Sequence, residues 1–300
     1  MTDRSTEARH PAAPGLHSAS APDVLSRLLL AQIAALATVR PAFAALEAGA
    51  DAAAAALQAG HRLAYAGAGS AGLMALADCL ELAGTFGIPP DRTPMLFAGG
   101  AAALLHMKGG VEDDRALAAT DLDRAGIGAG DVVICVSASG STPYTIAVAE
   151  GAKARGARVI GVANGAGAPL LAASDIAVLL ETGPEVVAGS TRMAAATAQK
   201  AALNMLSVLT GLRLGHVHDG YMVNLVADNA KLADRAARIV GAVAGVTPQG
   251  ARDALTAANG AVKPAILMAA GATANAAHAA LQASGGHLAP ALATLSDQST

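Results

Sequence analysis

Two glycine- and hydroxyl-rich segments, each closing a short apolar run, carry the chemistry that this sequence advertises most clearly. The first is Gly67-Ala68-Gly69-Ser70-Ala71-Gly72, between the strand-like run Arg62 to Ala66 and a helical segment from Ala71 to Leu82. Glycines let the backbone approach a ligand closely, and a helix N-terminus offers free N–H groups to an anion. The spacing fits G-x-G-x-x-G, but a dinucleotide site also needs an acid closing the next strand to hold the ribose. That strand, Thr93 to Ala98, runs into Gly99-Gly100, and the nearest acid, Asp91, precedes it. The segment therefore reads as an anion loop or, without a ligand, as a tight strand-to-helix turn. The second is Ser137-Ala138-Ser139-Gly140-Ser141-Thr142-Pro143, after the apolar run Asp131 to Val136. Hydroxyls at a helix N-terminus suit a sugar phosphate, because they donate to it while the helix dipole favours its charge; they also suit a plain helix cap. Neither loop is followed by a Walker lysine, which argues against nucleotide hydrolysis.

A third segment, Gly183-Pro184-Glu185 followed by Gly189-Ser190-Thr191-Arg192, places an acid in a turn and hydroxyls before the next helix. The resulting ligand-facing candidates are Gly69, Ser70, Ser139, Gly140, Ser141, Thr142, Glu185 and Ser190. Two further acids have apolar or glycine-rich neighbours: Glu81, between Leu80 and Leu82, and Glu112, after Gly109-Gly110-Val111. A carboxyl group in apolar surroundings titrates higher and can exchange protons near neutral pH. Spacing alone does not separate these two from the rest of the 23 acids. The eight histidines show no metal-ligand spacing, and Ser70 and Ser139 lack the G-x-S-x-G frame of a nucleophile elbow.

These residues need a scaffold, and the composition says which kind. Hydrophobic residues make up 53% of the 300, with no Trp, three Tyr and three Phe, so the core is built from small aliphatic side chains. A formal charge of −3 supplies no basic field for nucleic acid or anionic lipid, so a phosphate must be held by local donors. The two cysteines, Cys79 and Cys135, lie in apolar runs and read as buried thiols in a reducing compartment. No stretch reads as a membrane span and the first residues do not resemble a signal peptide, so the expected location is cytoplasmic, with no membrane partner.

Residues 1–22 read as an N-terminal arm. Helical spacing runs from Asp23 to Gln58 and is broken at Pro41. Five apolar strands (Arg62–Ala66, Thr93–Ala98, Asp131–Val136, Arg158–Val162 and Asp175–Leu180) alternate with helices. That alternation predicts an α/β fold with a five-stranded parallel sheet covered on both faces, and a ligand at the carboxyl ends of its strands. Long helices are expected over Thr191–Leu214 and Met222–Ala244, then a bundle of three short helices from Thr247.

With these motifs in view, the chain resembles the N-acetylmuramic acid 6-phosphate etherases, a family of the sugar isomerase (SIS) fold group. The resemblance runs from Thr6-Glu7-Ala8-Arg9 almost to the C-terminus. It is carried by Gly183-Pro184-Glu185, Gly189-Ser190-Thr191-Arg192, Thr197-Ala198-Gln199-Lys200, Leu203-Asn204-Met205, and Ala138-Ser139-Gly140 with Thr142-Pro143-Tyr144. Asn229-x-Lys231-Leu232-x-Asp234-Arg235 and Val262-Lys263-Pro264-Ala265-Ile266-Leu267-Met268 extend it. The glucokinase regulatory protein of vertebrates, which binds sugar phosphates without transforming them, is a relative of this family.

The resemblance implies a Rossmann-like SIS domain over residues 23–245 and a small helical, UBA-like domain over 246–300. It implies a cofactor-free lyase that removes the D-lactyl ether of N-acetylmuramic acid 6-phosphate by elimination and then hydration. Two glutamates do this work in the family, and they fall on Glu81, as acid, and Glu112, as base. It also implies a homodimer with the site near the subunit boundary. The sequence departs from the family pattern at the first loop, which reads Ser70-Ala71-Gly72-Leu73 where a serine and an arginine are usual, and at Ser141, where an arginine is usual. The family's Glu-Cys-Pro-Pro-Thr appears as Glu81-Leu82-Ala83-Gly84-Thr85. With those cations gone, a non-catalytic sugar-phosphate-binding regulator and a SIS-type isomerase of another substrate stand as the alternatives.

Overall fold

In the computed structural model, which describes residues 5–107 and 109–297, the expected sheet is present. Strands β1 (Leu63–Gly67), β2 (Met95–Phe97), β3 (Val132–Val136), β4 (Arg158–Ala163) and β5 (Ile176–Leu179) pair in parallel in the order β2-β1-β3-β4-β5. Every residue of β1 and β3 is buried. These strands show no alternation because helices cover both faces of the sheet.

Helices α1 (Ala21–Ala37) and α2 (Phe43–Gln58) precede the sheet. Helices α3 (Gly69–Phe86), α4 (Gly100–His106), α5 (Arg115–Ala125), α6 (Pro143–Ala154) and α7 (Pro169–Ala173) lie between its strands in sequence, and α8 (Ala194–Arg213) follows it. Ser20 starts α1 by accepting from the Asp23 N–H, with Pro22 in the first turn, and a turn at Arg40–Ala42 containing Pro41 separates α1 from α2. The small side chains allow close approach: a Cβ at Gly49 of α2 would stand 3.2 Å from Leu206 and 3.3 Å from Ile160. One apolar cluster joins β3 (Val133, Cys135) to α5 (Ala118, Leu122) and α6 (Tyr144, Val148, Ala152).

The chain forms two compact units, one reaching to Cys79 and continuing over Asp91–Ser207, the other comprising Leu80–Pro90 and the chain from Val208 onward. The second unit holds a hairpin of β6 (Val217–His218) and β7 (Tyr221–Met222), then α9 (Ala230–Ala244), α10 (Pro248–Ala257), α11 (Val262–Ala269), α12 (Ala274–Ala283) and α13 (Leu288–Asp297). The helix expected from Met222 thus begins at Ala230, where Asn229 accepts from the Leu232 N–H, and the preceding residues are the hairpin and a loop. Asp219 and Gly220, both at positive φ, make its turn. The C-terminal bundle has four helices where three were expected, with Gly285-Gly286, both at positive φ, separating the last two. The domain boundary expected at 245/246 lies inside this unit, where α9 and α10 to α13 share one apolar cluster.

The helical run Ala21–Gln58 reaches a mean hydropathy of 1.6 and passes, by length and composition, as long and apolar enough to cross a membrane. Its α2 half is a core helix, with Leu46, Ala50, Ala53 and Ala54 buried. Its α1 half exposes Leu25, Leu29, Leu30, Ile33 and Leu36.

Candidate active site

The strand order reverses between β1 and β3, which are neighbours in the sheet although β2 comes between them in sequence. A crevice forms at such a switch point, beyond the carboxyl ends of the two strands. The two glycine/hydroxyl loops leave the sheet there: Gly67 ends β1 beside Val136, which ends β3. The first loop turns tightly enough that a Cβ at Gly67 would stand 2.9 Å from the Gly72 Cα, and Gly69 has φ +53°. In the second, Ser137 Oγ lies 2.8 Å from Thr142 Oγ1 and accepts from the Gly140 N–H at 3.1 Å, while the Ser141 hydroxyl donates to Ser139 Oγ at 2.9 Å. Thr142 begins α6 without a side-chain bond to it, and Pro143 occupies the first turn, so no side chain at this position closes the helix N-terminus to an anion.

Glu112 belongs to the same unit. It ends a short 3-10 turn, Gly109–Glu112, and reaches over the first loop: a Cβ built on Gly69 would meet Glu112 Oε1 at 2.6 Å. Only glycine admits the carboxyl group there. The group is half-buried, and burial, then the neighbouring Asp113 charge, raise its pKa above the ordinary glutamate value. A half-buried carboxyl with a raised pKa is a stronger base once ionised than a solvated one. Glu81 lies on α3, in the second unit, with its side chain exposed; the apolar enclosure expected from Leu80 and Leu82 is absent, since Leu80 is itself exposed.

Glu185 is 2% exposed and both its oxygens are occupied. They accept from the Ala194 and Ala195 N–H groups at 2.9 Å each, so the carboxyl caps α8, where the helix dipole favours it. Ser190, half-buried, lies in the loop between this acid and α8. Sequence reasoning gave no role to Asn164 and Gln199, which are both fully buried. Asn164 closes β4, its N–H donates to the Ala138 carbonyl, and its Oδ1 accepts from Gln199 Nε2 at 2.7 Å, which ties β4 and the second loop to α8. Asn164 directly follows β4, and Gln199 lies within Thr197-Ala198-Gln199-Lys200.

Neither loop contains a lysine or arginine, so the groups that the loops themselves offer are amides, hydroxyls and helix ends. Among the described residues, no three His, Cys, Asp or Glu side chains cluster to hold a metal ion. Cys79 and Cys135 are free and buried, and burial pushes both thiols up to about 12, which makes them poor nucleophiles.

Residues 31–164 match the SIS domain family. The N-acetylmuramic acid 6-phosphate etherase of Deinococcus radiodurans is 44% identical over 269 residues, which cover 89% of this chain and 88% of the relative. The etherase of Rubrobacter xylanophilus is 44% identical over 70% of each chain. Among solved structures, a Bacteroides fragilis chain described as a phosphosugar isomerase involved in capsule formation aligns with a TM-score of 0.53 at 20% identity, over 67% of this chain and 95% of that one, a likeness of fold alone. The glycine and hydroxyl loops at the β1/β3 switch point and the identity over most of the chain lead to one conclusion: the chain belongs to the N-acetylmuramic acid 6-phosphate etherase family.

Proposed function

We propose that this protein cleaves the D-lactyl ether of N-acetylmuramic acid 6-phosphate, with Glu112 as the base, giving N-acetylglucosamine 6-phosphate and D-lactate in the recycling of cell-wall amino sugars. The carrying observation is the apposition of Glu112 to Gly69 at the strand switch point. In the open-chain sugar the C2 proton lies beside the aldehyde and is acidic. Glu112 takes that proton, the C3–O bond breaks with its electron pair leaving on lactate, and Glu81 protonates the departing oxygen. Water then adds at C3 of the unsaturated aldehyde while a proton returns to C2. The amides and hydroxyls of Gly69, Ser70 and Ser139 to Thr142 hold the phosphate, and Ser190 adds a hydroxyl. Glu185 serves by fixing its own loop to α8.

We read the protein as a cytoplasmic homodimer. A phosphorylated sugar does not cross a bilayer unaided, so its enzyme meets it inside the cell. Leu25, Leu29, Ile33 and Leu36 lie at helical spacing on α1 and are 45–66% exposed, an apolar stripe that a second copy would cover. Light scattering should give twice the chain mass, and a monomer would remove this part of the reading.

The test of function is release of D-lactate from N-acetylmuramic acid 6-phosphate. Saturable turnover is expected, lost in Glu112→Gln and Glu81→Gln; full activity in either variant would remove that residue from the mechanism. Saturable binding of a hexosamine phosphate without any lactate would favour the regulator, which the lack of Lys and Arg in the two loops otherwise supports.

A further inference from the structure

Two of the three tyrosines are completely buried, and each donates its hydroxyl to a buried aspartate beside one of the two ligand loops. Tyr65 lies on β1, two residues before Gly67, and its hydroxyl donates to Asp78 Oδ2 on α3 at 2.8 Å. Asp78 Oδ1 accepts from Asn204 Nδ2 at 2.7 Å and from the Ser207 hydroxyl at 2.9 Å, both on α8. Tyr144 lies on α6, two residues after Thr142, and donates to Asp121 Oδ2 on α5 at 2.5 Å; Asp121 Oδ1 is paired with Arg124. All of these residues belong to the first compact unit. In both cases the tied helix is the one that begins at a ligand loop.

A core of Ala, Val and Leu keys its helices weakly, because turning a helix lined with small side chains changes little buried area. A hydrogen bond to a buried carboxyl allows one rotation only, since any other strands a buried acceptor. The direction of the N–H groups at a helix start follows that rotation.

We infer that Tyr65–Asp78 and Tyr144–Asp121 are positioning pairs for the sugar-phosphate site: each fixes the rotation of the helix behind one loop and so aims that loop's amides and hydroxyls. This rests on the reading of the strand-end loops as the site. The pair on α6 reaches further, because the turn that carries Glu112 packs on α6.

The test uses Tyr65→Phe and Tyr144→Phe in the full chain, with two readouts. The loss of one hydrogen bond to a buried carboxyl predicts a KM for N-acetylmuramic acid 6-phosphate raised about tenfold in both variants, with kcat changed less than about threefold in Tyr65→Phe and lowered by more than that in Tyr144→Phe, whose helix also backs the Glu112 turn. Without any ligand, hydrogen exchange at the amides of residues 67–72, 140–142, 144 and 145 should quicken by about the same factor. Thr247→Ala, which removes the exposed cap of α10, serves as the stability control and should leave both readouts unchanged. If a phenylalanine variant does not fold, Asp78→Asn or Asp121→Asn replaces it and should give the same two changes, because an amide oxygen that accepts from the tyrosine turns its NH2 against the Asn204 amide or the Arg124 guanidinium. Wild-type KM in folded variants, unaltered loop exchange, or equal effects from Thr247→Ala would overturn the inference. A wild-type protein that turns over nothing, with loop exchange still answering to the tyrosines, would count against the proposed reaction and not against the pairs.

Discussion

Replacing Gly69 by alanine tests the apposition at the centre of the site. Gly69 has φ +53°, a conformation that costs an alanine about 1–2 kcal/mol. The added Cβ would stand 2.6 Å from Glu112 Oε1, whereas ordinary contact begins near 3.4 Å, so the carboxyl group must retreat by roughly 0.8 Å. A displacement of that size at a reacting group can lower the rate by about two orders of magnitude. The strain alone should lower the melting temperature by only a few degrees in a chain of this size. Gly60→Ala is the matched control, because Gly60 also has a positive φ, +89°, and a Cβ there meets nothing within 4 Å. Both variants should lose similar stability, and only Gly69→Ala should lose D-lactate release, by about a hundredfold. Activity in Gly69→Ala within about twofold of Gly60→Ala would show that Glu112 does not act from its place over this loop.

Glu112→Gln should abolish turnover and raise the melting temperature at neutral pH. A carboxyl whose folded pKa is raised binds its proton more tightly in the folded chain, so its contribution to stability is greatest at low pH and declines as pH rises through the raised value. For the same reason the acid limb of the pH–rate profile should lie above the ordinary glutamate range. His216 behaves differently: burial, then the Lys263 charge, hold it down to about 4, so the unfolded chain is protonated first as pH falls. Its contribution is complete above pH 6.5 and is lost towards pH 4, about 3 kcal/mol in all, and urea midpoints across that window should flatten in His216→Gln. Glu185→Ala leaves two amides at the start of α8 without their acceptor and should cost about 2–3 kcal/mol in denaturant unfolding, while Glu185→Asp should recover part of it.

The sheet was legible because β1, β3 and β4 are short, nearly all apolar and run into Gly, Ser or Asn, a pattern that suits strands buried on both faces. The loops were legible for the same reason. Asp219-Gly220, a strong two-residue hairpin signal, was absorbed into the approach to α9 because strands of two residues leave no period to detect. The place of Glu112 could not be read locally, since the length of α3, strand β2 and helix α4 separate it in sequence from the Gly69 that it covers. Glu185 looked like a solvated turn acid because the amides that it accepts from lie nine and ten residues ahead. The tyrosine–aspartate pairs join residues whose separation has no helical or strand period, and only the folded chain brings them together.

The most direct test of the account is the reaction of N-acetylmuramic acid 6-phosphate in deuterium oxide, followed by NMR. Removal and return of the C2 proton predicts D-lactate together with N-acetylglucosamine 6-phosphate carrying deuterium at C2, and neither product in Glu112→Gln. Lactate released with C2 still carrying its original proton would contradict elimination by a base at C2, and deuterium at C2 without lactate would contradict the etherase reaction itself.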